Sequence, residues 1–291
     1  MTPTHTVRSR PIAPEDLESL AQLLPRGFPD RSSDYFRSIF ARLSAHRTPP
    51  GFPKYGYLME SDGKPVGAIL MTYSPTVVGG EPRVRGNGAF WYVEPEFRSL
   101  ASMLFSKACS HRDVTYLNLS PGLQTLGILD AQRYMPYITG EFKALPALRL
   151  KAMGAEVHAL PARAGNVKGL TPFETELLRD HIDFGCIALI CRAKGQTHPF
   201  IFEQRRRPGI LKITYARLVY CRSIEDFVQC AGPVGRFLAM RGMPIVCIDS
   251  NGRIPGLFGK FFRARTPKYF KGPHAPRLGD FAYTERVMFG N

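Results

Sequence analysis

The stretch from Ala89 to Ser110, AFWYVEPEFRSLASMLFSKACS, constrains this chain more than any other. Ala89 to Val93 reads as a short apolar strand, and Glu94-Pro95-Glu96 as a tight turn. A helix opening near Arg98 sets Leu100, Met103, Leu104 and Ala108 on one face, with Ala101, Phe105 and Cys109 beside them. A strand that runs straight into a helix places the helix's unpaired N–H groups at the strand's end, where an anionic group can be held. The same pattern also describes an ordinary strand–turn–helix junction, so its surroundings decide its meaning.

Those surroundings are rich in punctuation. Val7 to Arg10 is a candidate first strand, and Pro14 with Glu15-Asp16 opens a helix carrying Leu17, Leu20, Ala21 and Leu24 at helical spacing. A second helix begins at Ser32-Ser33, shows Phe36, Ile39, Phe40 and Leu43, and stops before Thr48-Pro49-Pro50-Gly51. Tyr55 to Glu60 and Pro65 to Tyr73 are strands joined by Ser-Asp-Gly-Lys, a hairpin signal. Gly79-Gly80 forms a loop leading to the strand at 88–93. Val114 to Leu119 is a strand, Pro121 to Arg133 a weaker helix, and Tyr134 to Phe142 a loop or strand. The expected order is β, α, α, β, β, β, α, β, α, β.

Residues 143–169, rich in Ala, Leu, Pro and Gly, read as a connecting segment with a short helix over Leu145 to Met153. Thr171-Pro172-Phe173-Glu174 then forms a capping box with proline at the first helical position. Cys186 to Arg192 and His198 to Glu203 are strands joined by Ala-Lys-Gly-Gln, and Leu211 to Cys221 is a third. Ser223 and Asp226 cap a helix that Gly232-Pro233 is expected to interrupt. Pro244 to Ile248 is a further strand, and Phe281 to Met288 reads as the last. Helix, hairpin, strand, helix, strand repeats the order of residues 32–119, although no sequence identity supports the repeat.

Taken with that order, the segment from Val93 to Met103 resembles the acyl-CoA-binding segment of the GNAT acyltransferases. Their pattern is Val-x-Pro-x-aromatic-Arg followed by x-x-Gly-x-Gly/Ala. Val93, Pro95, Phe97 and Arg98 agree with it. Ala101 stands at the first glycine position and Met103 at the last small one, a bulky residue whose flexible side chain can turn away into the core. The resemblance implies an α/β chain of two GNAT-like mixed-sheet domains in tandem. Residues 1–142 would be the acyl-CoA-binding domain, 143–169 a connector and 170–291 a degenerate second copy. It further implies that Val93, Arg98, Ser99, Leu100, Ala101, Ser102 and Met103 meet acetyl-CoA or a longer acyl-CoA, with glycine-like backbone and helix dipole facing the pyrophosphate. In the second half the equivalent turn, Tyr220 to Asp226, carries Glu225-Asp226, which would repel a phosphate.

In such a family an amine attacks the thioester, a protein group accepts a proton and another protonates the leaving thiolate. The resemblance makes Tyr134 the first candidate acid, with Tyr137 second. Asn118 could bind cofactor or substrate through its amide, or simply form a turn before Ser120-Pro121-Gly122. Glu60 and Glu94 are candidate bases without spacing evidence. No spacing supports a Ser-His-Asp or Cys-His arrangement, and His158, His181 and His198 are too scattered for a metal site.

Charge leaves a second class of function open. Residues 1–150 hold 17 Lys and Arg against 13 Asp and Glu, while residues 151–291 hold 22 against 11. The excess concentrates at Arg205-Arg206-Arg207 and between Arg253 and Arg277. Gly256 to Lys271 interleaves aromatics with cations, which suits single-stranded nucleic acid, an anionic sugar, a membrane surface or a solvated basic face. No apolar run reaches the length of a membrane span, and the first residues lack a secretory core. Six cysteines without a CxxC pair suit a reduced, cytoplasmic protein. The expectation is an acyltransferase acting on a small or polar amine. The rivals are a non-catalytic GNAT-like scaffold and a nucleic-acid-binding protein.

Overall fold

The computed structural model describes residues 6–150, 155–161, 165–206 and 213–290. In chain order they form β1 (Val7–Pro11), α1 (Leu17–Leu23), α2 (Ser33–Ala45), β2 (Gly56–Ser61), β3 (Lys64–Val78), β4 (Glu81–Val93), α3 (Ala101–Ala108), β5 (Val114–Asn118) and α4 (Leu126–Ala131). There follow β6 (Met135–Ala144), β7 (Glu156–Ala159), α5 (Pro172–Asp183), β8 (Ile187–Ala193), β9 (Gln196–Arg206) and β10 (Thr214–Cys221). The chain closes with α6 (Ile224–Ala239), β11 (Val246–Ser250), β12 (Gly259–Lys271) and α7 (Glu285–Met288). These residues fall into two compact units, one within Met1–Met135, Lys268–Ala275 and Thr284–Asn291, the other within Pro136–Pro267 and Pro276–Tyr283.

In the first unit β1, β2, β3, β4 and β5 lie side by side, and the end of β12 pairs antiparallel with β5 through Tyr269–Asn118. Two tight hairpins set the register. Asp62-Gly63 and Gly79-Gly80 have positive φ at both central positions (50° and 76°, 59° and 86°), the twist that two-residue hairpins require. The second turn lengthens the strands beyond expectation: residues 74–87, expected as loop, pair across it from Ser74–Arg85 to Val78–Glu81. Helix α3 lays Leu104, Phe105 and Ala108 against the sheet, where they meet Met59, Ile69, Met71, Tyr73 and Tyr116 in one apolar cluster. Ser32 caps α2 by accepting the Tyr35 N–H at 3.2 Å.

In the second unit the order is β12, β6, β11, β10, β9, β8, β7. The Thr171–Glu174 capping box forms as expected, with Glu174 N–H donating to Thr171 Oγ1 at 3.1 Å and Thr171 N–H donating to Glu174 Oε2 at 2.9 Å. Phe142, Leu189, Phe200, Phe202, Phe227 and Leu238 fill its core. The elements α5, β8, β9, β10, α6 and β11 repeat the order of α2, β2, β3, β4, α3 and β5.

Several expectations are corrected. Helix α6 runs unbroken through Pro233, because Phe227, Cys230, Ala231, Val234 and Leu238 all bury on one side and outweigh the missing N–H. Its glycines serve close approach instead: a Cβ at Gly232 would lie 2.2 Å from the Arg149 carbonyl oxygen, and one at Gly235 would lie 2.3 Å from the Ala147 nitrogen. Residues 281–288 are not a strand, since Glu285–Met288 is helical. The aromatic–cationic segment is the long strand β12, with Lys260, Phe262, Arg263 and Arg265 exposed. The connector contains β7 and a 3-10 turn at Pro146–Leu148, while Lys151–Met153, the end of the expected helix, lie outside the described residues. The first compact unit takes in Met1–Met135 of the N-terminal stretch. β6 pairs with β11 from Ala144–Val246 to Gly140–Ser250, so it belongs to the second unit by its hydrogen bonds.

Candidate functional site

β4 and β5 run parallel and pair from Val84–Val114 to Asn87–Leu117, where their ladder ends. Beyond that point β4 carries a bulge. Leu70 pairs with Ala89 and Ala68 with Tyr92, so Phe90 and Trp91 together face Ile69. Phe90 adopts φ +49°, a conformation that is strained for a side chain of its size. Its ring is held by edge contacts to Phe28 at 5.1 Å and Phe36 at 5.2 Å, and by Phe289 at 6.0 Å. Packing thus over-determines the bulge.

The fork between the two strands encloses a cavity of about 280 Å³. Gly88 to Trp91 form one wall, and Leu117, Asn118 and Ser120 to Gly122 form the other. Phe105, Cys109, Tyr134 and Glu285 also reach it. The Tyr134 hydroxyl lies 3.1 Å from Cys109 Sγ, and burial pushes the Cys109 thiol up to about 11 and Tyr134 well above its usual value. Both stay protonated at neutral pH.

Glu285 is the residue that sequence reading missed. It is 2% exposed, and its Oε1 accepts from Ser120 Oγ at 3.2 Å while Oε2 has no hydrogen-bond partner. Its backbone N–H donates to Asn87 Oδ1 at 2.6 Å, and Asn87 Nδ2 donates to the Leu117 carbonyl at 3.2 Å. The last paired residue of β4 therefore fixes the start of α7 at the fork. Burial raises the Glu285 carboxyl above its ordinary value, against a smaller opposing pull from Arg286.

The residues singled out by sequence divide into two groups. Tyr134 and Asn118 come together on the cavity walls. Val93, Arg98, Ser99, Leu100, Ala101, Ser102 and Met103 lie on the segment after β4 and are not among the residues lining the cavity. There, a 3-10 turn over Pro95–Leu100 precedes the helix, which begins at Ala101 instead of Arg98. Arg98, Ser99 and Ser102 are exposed, Leu100 and Ala101 half-buried, and Val93 buried. Met103 does not enter the core; it is 44% exposed, because the sheet-facing side of so short a helix is filled by Leu104, Phe105 and Ala108.

Neither candidate base in the first half is available. Glu60 is buried between Arg8 and Arg10, whose guanidinium groups hold its carboxyl below the usual range. Glu94 accepts from Arg26 at 2.5 Å and from the Tyr92 hydroxyl at 2.8 Å. Tyr137 lies on β6 in the second unit.

The second unit has the corresponding fork. β10 and β11 pair in parallel through Ala216–Val246 and Arg217–Cys247, and β10 then shifts register against β9 between Leu218 and Tyr220. Here the chain itself occupies the diverging edge. Cys221 N–H donates to the Gly279 carbonyl at 2.9 Å, Phe281 N–H donates to the Val219 carbonyl at 2.8 Å, and Tyr220 bridges to Asp280. Arg277 donates to the Cys221 carbonyl and lies 5.0 Å over the Tyr220 ring. Tyr283 secures the other end through its N–H to His181 Nε2 at 3.1 Å and its hydroxyl to Asp180 at 2.6 Å.

A mixed sheet whose parallel central strands diverge beside a bulge is the GNAT fold, and solved structures bear this out. The chain resembles a GCN5-related N-acetyltransferase from Anabaena variabilis at a TM-score of 0.57 and 11% identity, covering 91% of this chain and 72% of that one. A GCN5-related N-acetyltransferase from Kribbella flavida matches at 0.56 and 12%, over 92% of this chain and 71% of its own. Eis1 from Mycobacterium abscessus matches at 0.52 and 12%, over 94% and 74%. At such identities the likeness concerns the fold. No protein-family model and no curated protein matches the sequence.

Proposed function

We propose that this protein transfers an acyl group from acetyl-CoA or a longer acyl-CoA to a small or polar amine, in the cleft of the first unit. The observation that carries the proposal is the open fork beside the Phe90 bulge, joined directly to a strand–turn–helix segment suited to phosphate. An extended, amide-bearing arm can lie along β4 at Gly88 to Trp91, which line the cavity beyond the end of the ladder to β5. The turn at Pro95–Leu100 and the start of α3 would meet the pyrophosphate, with Arg98 supplying charge and the helix N–H groups supplying donors. Ala101 adds only a methyl group there, and the exposure of Met103 keeps its bulk out of the apolar core.

The Tyr134 hydroxyl, kept protonated by burial, is suited to giving a proton to a leaving thiolate, and Asn118 to orienting the thioester or the amine through its amide. Among the described residues no helix is long and apolar enough to cross a membrane. Calorimetric titration with acetyl-CoA and with longer acyl-CoAs tests the reading. Micromolar binding that is lost in Ala101→Asp is expected, whereas binding of no CoA species would leave a GNAT-fold scaffold without this activity.

One observation favours a second reading. β12 exposes Lys260, Arg263 and Arg265 beside Phe262, whose ring lies 4.8 Å from Lys143 Nζ and 5.6 Å from Lys260 Nζ. Such a strip can pair phosphates and stack bases of single-stranded nucleic acid. Steeply salt-dependent binding of an oligonucleotide would support it, and salt-insensitive or absent binding would remove it.

A further inference from the structure

Buried polar atoms are almost always paired, so an unpaired carboxylate oxygen on a residue that lines a cavity is held there at a cost that needs a purpose. Glu285 Oε2 is such an atom. Two contacts hold the residue at the edge of the cavity that it helps to line. Ser120 Oγ, just beyond β5, holds Oε1, and Asn87, at the end of the β4–β5 ladder, holds the backbone N–H. The titratable and charged groups around it are Arg286 on its own helix and Cys109 and Tyr134 on the cavity wall, the last two both protonated at neutral pH. Glu60 on β2 and Glu94 after β4 are engaged by arginines, and Glu96 is exposed and not among the residues lining the cavity.

We infer that Glu285 Oε2 meets the acceptor amine and takes its proton, so that the returning C-terminal segment completes the active site of the first unit. The inference rests on the acyl-transfer reading of the same cleft. In the step it assigns, the lone pair of the neutral amine forms the nitrogen–carbon bond at the thioester carbonyl. The carbon–sulfur bond breaks and its electron pair leaves on sulfur. Nitrogen loses one proton to Glu285 Oε2, and sulfur gains one from the Tyr134 hydroxyl. Exchange with solvent then returns the proton from Glu285 to Tyr134, so the products are the amide and the free thiol. Because the carboxyl must be ionised to accept, turnover rises with pH through the raised Glu285 value and levels off above it. A carboxylate opposite the thioester also selects the acceptor. Primary amines that arrive as ammonium ions, and release one proton to solvent before they attack, are favoured over alcohols, which bring no charge to meet the carboxylate.

The test follows thiol release from acetyl-CoA with ethylamine, tyramine, spermidine and glucosamine as acceptors, alongside calorimetric acetyl-CoA binding. Glu285→Gln is expected to keep acetyl-CoA affinity within about twofold, to lower turnover by about 100-fold or more, and to flatten the rising limb of the pH profile. Glu285→Asp, one methylene shorter, should regain part of the rate and the pH dependence. If Glu285→Gln retains the wild-type rate and profile, or loses acetyl-CoA binding in step with the rate, the inference is overturned. Acetyl-CoA binding without thiol release to any of the four amines also overturns it and leaves the cofactor cleft standing. Absence of acetyl-CoA binding to the wild-type protein instead removes the proposed function on which it rests.

Discussion

The two forks of this molecule begin alike and end differently. In each, two parallel strands pair for a few residues, one strand bulges, and the pair parts. In the first unit the divergence leaves a cavity with a buried carboxyl at its edge. In the second, Gly279 to Phe281 runs along β10 and satisfies the backbone groups that divergence would expose. An open fork leaves strand-edge polar groups to water or to a ligand, whereas a filled one trades them for permanent hydrogen bonds. The difference is one of backbone pairing: the first unit leaves a cavity at its fork, and the second fills the equivalent place with its own chain.

The sharpest way to break this contrast is to fill the first fork as the second is filled. Gly88 lines the cavity, and a Cβ there would lie 3.4 Å from Met71 Sδ and 3.7 Å from Ile69 Cδ1, ordinary contacts. Gly88→Phe should therefore place a ring in the cavity and abolish acetyl-CoA binding, read by calorimetry, while the protein stays folded by circular dichroism. Unchanged affinity would show that the cavity is not the binding cleft. Stoichiometry makes the complementary check. One acyl-CoA per chain is expected, and two would mean that the second fork opens after all.

Next in size is the strand insertion of the second unit. Gly279 has φ +72°, and a Cβ would meet Cys221 Sγ at 2.5 Å. Gly279→Val should destabilise by about 2–4 kcal/mol through backbone strain and overpacking, seen as an earlier thermal transition, with acetyl-CoA affinity intact. A smaller loss, about 1–2 kcal/mol, is expected for Arg277→Ala, which removes the donor to the Cys221 carbonyl.

The smallest effect is a pH dependence of stability. Burial raises the folded-state value of Glu285, so the unfolded chain ionises at lower pH than the folded protein does. The favourable contribution is complete below the unfolded value and is lost as pH rises through the folded one. Glu285→Gln, which does not titrate, should gain thermal stability relative to wild type as pH is raised from 4 to 8. A difference that is flat with pH would mean that the carboxyl ionises at the same pH in the folded and unfolded states, so that burial does not shift it.

Much of the fold was legible because it is written in local chemistry. Asp62-Gly63 fixed a hairpin, Thr171 to Glu174 a helix start, and Leu104 with Phe105 and Ala108 a buried helical face. Asn118 and Tyr134, singled out by the likeness of the neighbouring segment, both line the cavity of the first unit. Length and boundary were less legible. Gly79-Gly80 closes a two-residue turn, and nothing in residues 74–87 announced that both sides would pair all the way to it. Pro233 read as a break, yet the helix continues, with Phe227, Cys230, Ala231, Val234 and Leu238 buried around it.

By itself, then, the sequence determined the alternation of elements, the hairpin turns and the helix caps. Only the tertiary structure decided which fork stays open and which carboxylate reaches it. Glu285 follows Ser120 by 165 residues, and Gly279 follows Cys221 by 58, so no periodicity or spacing links either pair. Their meeting is set by the path of the chain's last stretch, which returns to the first unit at Lys268, passes through the second from Pro276 to Tyr283, and ends in the first. Contacts of that kind arise from which backbone groups remain unpaired after the sheets have formed, a property of the assembled fold that no local window contains.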